Sequence, residues 1–134
     1  MDRKIGGLTL REWTGFALLL VLLLAGLLSS WYMDRHHRAI SRELEQCSWL
    51  ALSGQWSDAR EKAQSAKTAW DRNRDLRAAL GDQTPMEEID DLFGEVTVFA
   101  AAGERTEFAR CCAALSRRVQ AMGDAHRLTW WNVM

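Results

Sequence analysis

Residues 13–33 read WTGFALLLVLLLAGLLSSWYM, 21 residues without a charge. At about 1.5 Å per residue, a helix of this length spans roughly 31 Å, the thickness of a bilayer's hydrocarbon core. Its centre, Phe16 to Leu28, contains eight Leu, one Val and one Phe. At roughly 0.3–0.6 kcal/mol for each of these, entry into lipid is favoured by about 3–6 kcal/mol. Trp13 at one edge and Trp31 with Tyr32 at the other suit the two membrane–water interfaces, where amphipathic rings collect. The stretch reads as a single-pass transmembrane helix, which makes the lipid bilayer the first expected partner. A cleaved signal peptide is the competing reading, since 13 apolar residues also fit a signal's hydrophobic region. Against it, Leu28-Ser29-Ser30 places a leucine at the −3 position of the cleavage site, and no lipobox cysteine follows.

Working outward, the chain divides into a tail (1–12), the span (13–33) and a domain (34–134). Arg3, Lys4 and Arg11 precede the span, and Arg35, Arg38 and Arg42 follow it closely, so the balance of basic residues gives no orientation. A short tail before the first span suits a signal-anchor, with the tail in the cytoplasm and the domain extracytoplasmic at the cell membrane. The domain carries fourteen Lys/Arg and sixteen Asp/Glu. This near-balance offers no basic stripe, and nucleic acid is not expected as a partner.

The domain is punctuated as helices. Ile40, Leu44, Cys47 and Ala51 recur at 4, 3 and 4, one helical face that continues the membrane helix from Asp34 to about Ser53, where Gly54 ends it. Trp56, Ala59, Ala63, Ala66 and Trp70 lie on one face of a second segment running from Gln55 to Leu80, closed by Gly81. Thr84-Pro85-Met86-Glu87 is a capping box with proline at the first helical position. It opens a third segment whose stripe is Ile89, Leu92, Phe93, Val96, Phe99 and Ala100, closed by Gly103. Phe108, Cys111, Leu115, Val119, Met122 and His126 form the stripe of a fourth, from about Arg105 to Arg127. No useful period-two alternation occurs. The expected fold is therefore all-α: the transmembrane helix continuing into a small antiparallel bundle of about four helices.

The parity of four helices brings the C-terminal end back toward the bilayer, where Trp130 and Trp131 either meet headgroups or pack on the first helix. His36-His37 read as a solvated or headgroup-facing pair, since adjacent helical residues diverge by about 100° and make poor joint ligands. His126 reads as a core histidine. Cys47, Cys111 and Cys112 are an odd number without a CxxC, so buried thiols are expected, with a bridge from Cys47 to either of the pair open to an exported domain. Glu87, Glu88, Asp90 and Asp91 suit the positive end of the third helix, with Glu88 and Asp90 as a candidate partner-binding surface.

Together, several elements resemble the bacterial domain of unknown function 4363 family, small proteins with an N-terminal membrane segment and a helical domain. Trp56 with Ala59 is similar to its W-x-x-A helix start, Trp70 to the second tryptophan of that helix, Glu88-Ile89-Asp90 to its E-I-D element, and Leu128-Thr129 with Asn132 to its closing L-T-x-x-N. Met86 stands where the family often has histidine, which removes a His-carboxylate pair. The resemblance implies the architecture and assigns no activity.

Serine nucleophile motifs, phosphate-cradling glycine loops and zinc spacings are missing, and neither an enzyme nor a cofactor or metal is expected. The reading is a membrane-anchored accessory or scaffold module that binds another membrane or envelope protein, through Glu88 and Asp90 and through Trp130 and Trp131. The alternative is a membrane-tethered sensor or small-ligand-binding bundle, its pocket lying along the alanines between Trp56 and Trp70.

Overall fold

The computed structural model describes residues 9–80 and 83–133, with the side chains of 80, 83, 84 and 126–133 outside the description. Among the described residues there are five helices and no strand. They are α1 (Leu10–Leu52), α2 (Trp56–Arg72), α3 (Arg74–Leu80), α4 (Gln83–Ala102) and α5 (Arg105–Val133). The chain divides into two units between Met33 and Asp34, and α1 runs through the division.

In the first unit, α1 holds the one described helix stretch long and apolar enough to cross a membrane. Its leucines point outward all round the helix, with Leu18, Leu19, Leu22 and Leu28 exposed along with Trp13, Trp31 and Tyr32. A helix that is apolar on every face and largely exposed is suited to lipid.

In the second unit, α1, α2 with α3, α4 and α5 form an up-down-up-down bundle. Lys62 reaches Gln46 at 2.6 Å and His36 reaches Ala69, which sets α2 antiparallel to α1. Arg118 pairs with Glu88 at 2.6 Å and Cys111 with Glu95 at 3.3 Å, which sets α5 antiparallel to α4. Ser41 and Ser116 close the ring between first and last helices. Each hydroxyl bonds the other's backbone carbonyl, and the two Oγ atoms lie 2.9 Å apart. The stripes read from the sequence form the core: Ile40, Leu44, Cys47, Ala59, Ala66, Trp70, Ile89, Phe93, Phe108, Cys112, Leu115 and Val119 are all buried.

Two links at one end are built alike. Gly54 and Gly103 have φ of +84° and +73°. Gln55 N–H bonds the Leu50 carbonyl at 2.9 Å, and Glu104 N–H bonds that of Phe99 at 3.1 Å. This is the Schellman closure, in which a left-handed glycine lets the chain satisfy the carbonyls of the last turn.

Three sequence expectations are corrected. The second segment is not one helix, because it breaks at Asn73 and restarts as α3. The N–H of Asn73 bonds Asp71 O, and the carbonyl it would meet in a continuous helix, Ala69 O, is held by His36 instead. The fourth helix does not stop near Arg127 but continues to Val133. His36-His37 is not a solvated pair: His37 is 1% exposed and His36 half-buried against α2, since the bundle packs from the first turn after the division. Gly81, the capping side chain of Thr84, His126, the L-T-x-x-N residues and Trp130-Trp131 lie outside the described residues or side chains.

Candidate functional site

The densest polar arrangement inside the bundle lies where α1 enters it, where α2 breaks and where α4 begins. Trp70 is set there by the alanine stripe of α2: Ala59, Ala63 and Ala66 let the neighbouring helices approach, and the indole fills the space at the end of the row. Its ring is 1% exposed, between the rings of His37 and Phe93 at 6.0 and 6.1 Å. Its Nε1–H donates to Asp90 Oδ1 at 2.8 Å, across to α4. The other carboxylate oxygen of Asp90 accepts from Arg74 at 3.4 Å.

Arg77 is carried back over the indole by the turn at Asn73. Its guanidinium carbon sits 3.5 Å from the ring centroid of Trp70, and Nη2 donates to the Trp70 carbonyl. Cation–π contact of this kind is worth about 2 kcal/mol when desolvated. Nε and Nη1 meet no acceptor among the described residues. Burial pushes the Arg77 pKa down to about 10, against the attraction of Asp90 and Asp71, so the group remains charged at neutral pH. A buried guanidinium is tolerated here because a π face, a carbonyl and two nearby carboxylates surround it.

His36 completes the arrangement from α1. Its Nε2 is 3.0 Å from Ala69 O and 2.9 Å from Asn73 Nδ2. With the proton on Nε2 the ring donates to Ala69; with the proton on Nδ1 it accepts from Asn73. Either tautomer therefore ties α1 to the break in α2. Burial is the main influence lowering the pKa of His36; the Ala69 carbonyl opposes it, and Arg77 and Arg72 add to it.

Two grooves flank this region. One, of about 400 Å³, lies between α1 and α5 and is lined by Asp34, Arg38, Arg42 and Glu45 from α1 with Gln120 and Asp124 from α5. The other, of about 370 Å³, lies between α1 and α2 and includes His36, Glu43, Thr68 and Arg72. Both are open; the first is lined mostly by charged and polar side chains, the second also by Ala39, Ile40 and Ala69.

The residues singled out by sequence fall into separate places. Trp70 and Asp90 are brought into direct contact. Glu88, two residues before Asp90, lies on the exposed side of α4, in an ion pair with Arg118. Trp56 sits at the far end of α2, edge-on to Phe108 at 4.9 Å, with Arg105 5.7 Å above it. The groove along the alanines between the two tryptophans, against Phe93 and Val96, is only about 60 Å³, room for a few waters. No group of three or more metal-ligating side chains converges among the described residues. Asn73 and Arg77 were not singled out from the sequence, and His36 was read there only as one of a solvated or headgroup-facing pair. In the sequence Arg72, Arg74 and Arg77 are alike, basic residues near the end of one helical segment, and only the break at Asn73 aims Arg77 inward.

The chain matches no family model, no curated protein and no solved structure. What its own architecture defines, among the described residues, is a small helical bundle in a chain that also holds one candidate membrane span.

Proposed function

We propose that the chain is a membrane-anchored accessory or scaffold module whose extracytoplasmic bundle binds another membrane or envelope protein and catalyses no reaction. The observation that carries this reading is the outer face of α1 beyond the apolar stretch, where Trp49 is 67% and Leu52 63% exposed. They lie three residues apart on one side of the helix. A large exposed indole beside a leucine is the kind of group that anchors protein interfaces, where Trp is enriched among the residues contributing most to affinity. The ionisable groups inside the bundle support the non-catalytic part: His36, Arg77 and Asp90 are each engaged in fastening one helix to another. The resemblance to the domain of unknown function 4363 family supports the same architecture.

Placing a photo-crosslinking amino acid at position 49 of the full-length protein in its own membrane tests the proposal. An adduct with one other envelope protein is expected; adducts with lipid alone, or none, overturn it.

The polar groove between α1 and α5 favours a second reading, a bundle that holds a small charged ligand between Arg38, Arg42 and Asp124. Titrating tryptophan fluorescence with a panel of charged metabolites separates the two, since a saturable shift favours the ligand.

A further inference from the structure

The three cysteines are not equivalent. Cys47 lies in the buried stripe of α1 and Cys112 in that of α5, and neither sulfur reaches solvent. The two helices are held close by the reciprocal Ser41–Ser116 bonds. From there α1 runs forward six residues to Cys47 while α5 runs back four to Cys112, so the antiparallel register brings the two to within about 3 Å of one level along the bundle. The thiol of Cys112 meets that of Cys47, and this contact, then burial, pushes the Cys112 pKa up. Cys111, one residue earlier, points about 100° away around α5. Its Sγ donates to Glu95 on α4 at 3.3 Å, and burial first and that bond second push its pKa up to about 11.

We propose that Cys47 and Cys112 are a disulfide-forming pair that staples α1 to α5, and that Cys111 is the thiol left over. The oxidant is a disulfide, either low-molecular-weight or carried by a thiol oxidoreductase. One cysteine thiolate attacks a sulfur of the oxidant, forming a mixed disulfide and releasing one thiol. The second thiolate attacks the protein sulfur of that mixed disulfide and releases the other thiol. Two protein thiols are oxidised, one disulfide is reduced to two thiols, and the two protons lost by the cysteines are taken up by the released thiolates. The bond has a length of about 2.05 Å and needs the two Cβ atoms about 3.5–4.5 Å apart. With both sulfurs buried, the bond forms during folding or through opening of the α1–α5 seam, and is slow in the closed bundle.

Occurrence of the bond in the cell rests on the extracytoplasmic placement proposed above; the pairing itself does not. The full-length protein is refolded in detergent with oxidised and reduced glutathione, and its free thiols are counted with a maleimide after denaturation. The wild type is expected to fall from three thiols to one, and Cys111→Ala from two to none. Cys112→Ala is expected to keep both of its thiols, with circular dichroism reporting that its helices form. Two thiols surviving in Cys111→Ala, or a bridge through Cys111 in helical Cys112→Ala, overturns the pairing. Blocking thiols at lysis then reads the state in the cell. A bridge formed in vitro but absent from the cell leaves the pairing standing and counts against the extracytoplasmic placement, whereas failure in vitro counts against the pairing alone.

Discussion

The indole nitrogen of Trp70 donates to Asp90 Oδ1 at 2.8 Å, joining the end of α2 to the beginning of α4. The carboxylate meets three demands at once. It satisfies a buried N–H, it accepts from Arg74, and it provides negative charge near Arg77.

Replacing Asp90 with alanine leaves the indole N–H without its acceptor and removes the negative charge nearest a buried guanidinium. Loss of a partner for a buried donor costs about 1–3 kcal/mol. Asp90→Ala is expected to lower the stability of the bundle by this amount, and Asp90→Asn, which keeps an acceptor, by less. Chemical denaturation in detergent measures both. Equal losses would show that the bond to Trp70 is not what the carboxylate contributes.

Ser41 and Ser116 are expected to be coupled. Each single change to alanine leaves the other hydroxyl with one remaining carbonyl acceptor, while the double change removes both donors from the seam. A double-mutant cycle is expected to give an interaction of about 0.5–1.5 kcal/mol, the usual net worth of a buried hydrogen bond. Additive losses would mean that the two hydroxyls act independently.

Acid is expected to loosen the bundle through His36. Burial, with Arg77 and Arg72, lowers its pKa from the ordinary 6.5, so the folded chain holds this proton less readily than the unfolded chain. The stabilising contribution is full above that ordinary value and is lost as pH falls through it toward the lower folded value. Denaturation midpoints measured between pH 8 and pH 5 should fall on the acid side, and should fall less in His36→Gln. An unchanged slope in that variant would assign the acid sensitivity elsewhere.

Gly103→Ala and Gly54→Ala are each expected to destabilise by about 1–2 kcal/mol, because an L-residue must adopt the left-handed conformation. No atom lies within 4 Å of a Cβ built at either position, so the cost is one of backbone conformation and not of collision. Asparagine, which tolerates that region better, should recover part of the loss at both sites.

Much of the fold was legible because helical periodicity and glycine punctuation are local signals. Ile40, Leu44, Cys47 and Ala51 needed only their spacing to be assigned to the core, and Gly54 and Gly103 only their positions to be read as stops. The break at Asn73 was not legible, because residues 72–80, RNRDLRAAL, hold no glycine or proline to mark a stop. The helix is interrupted by a side chain from a helix 33 residues earlier, His36 on Ala69 O. The same non-local cause hid the site: Trp70 and Asp90 were each visible as unusual residues, but their contact depends on which face of α4 meets α2. Arg77 was indistinguishable from its solvated neighbours Arg72 and Arg74 until the turn aimed it at the indole. The choice between Cys111 and Cys112 likewise required the register of α5 against α1.

Three of the four seams in the bundle join helices that follow one another in the chain, through links of a few residues. The fourth, Ser41 to Ser116, joins residues 75 apart. Hairpins of neighbouring helices form quickly because little chain entropy is lost in bringing them together, whereas the first-to-last closure waits for everything between. During synthesis, α1 must therefore stand with its inner stripe uncovered until α5 has left the ribosome. That interval, and not the finished bundle, is when the chain is most exposed to aggregation and to capture by chaperones.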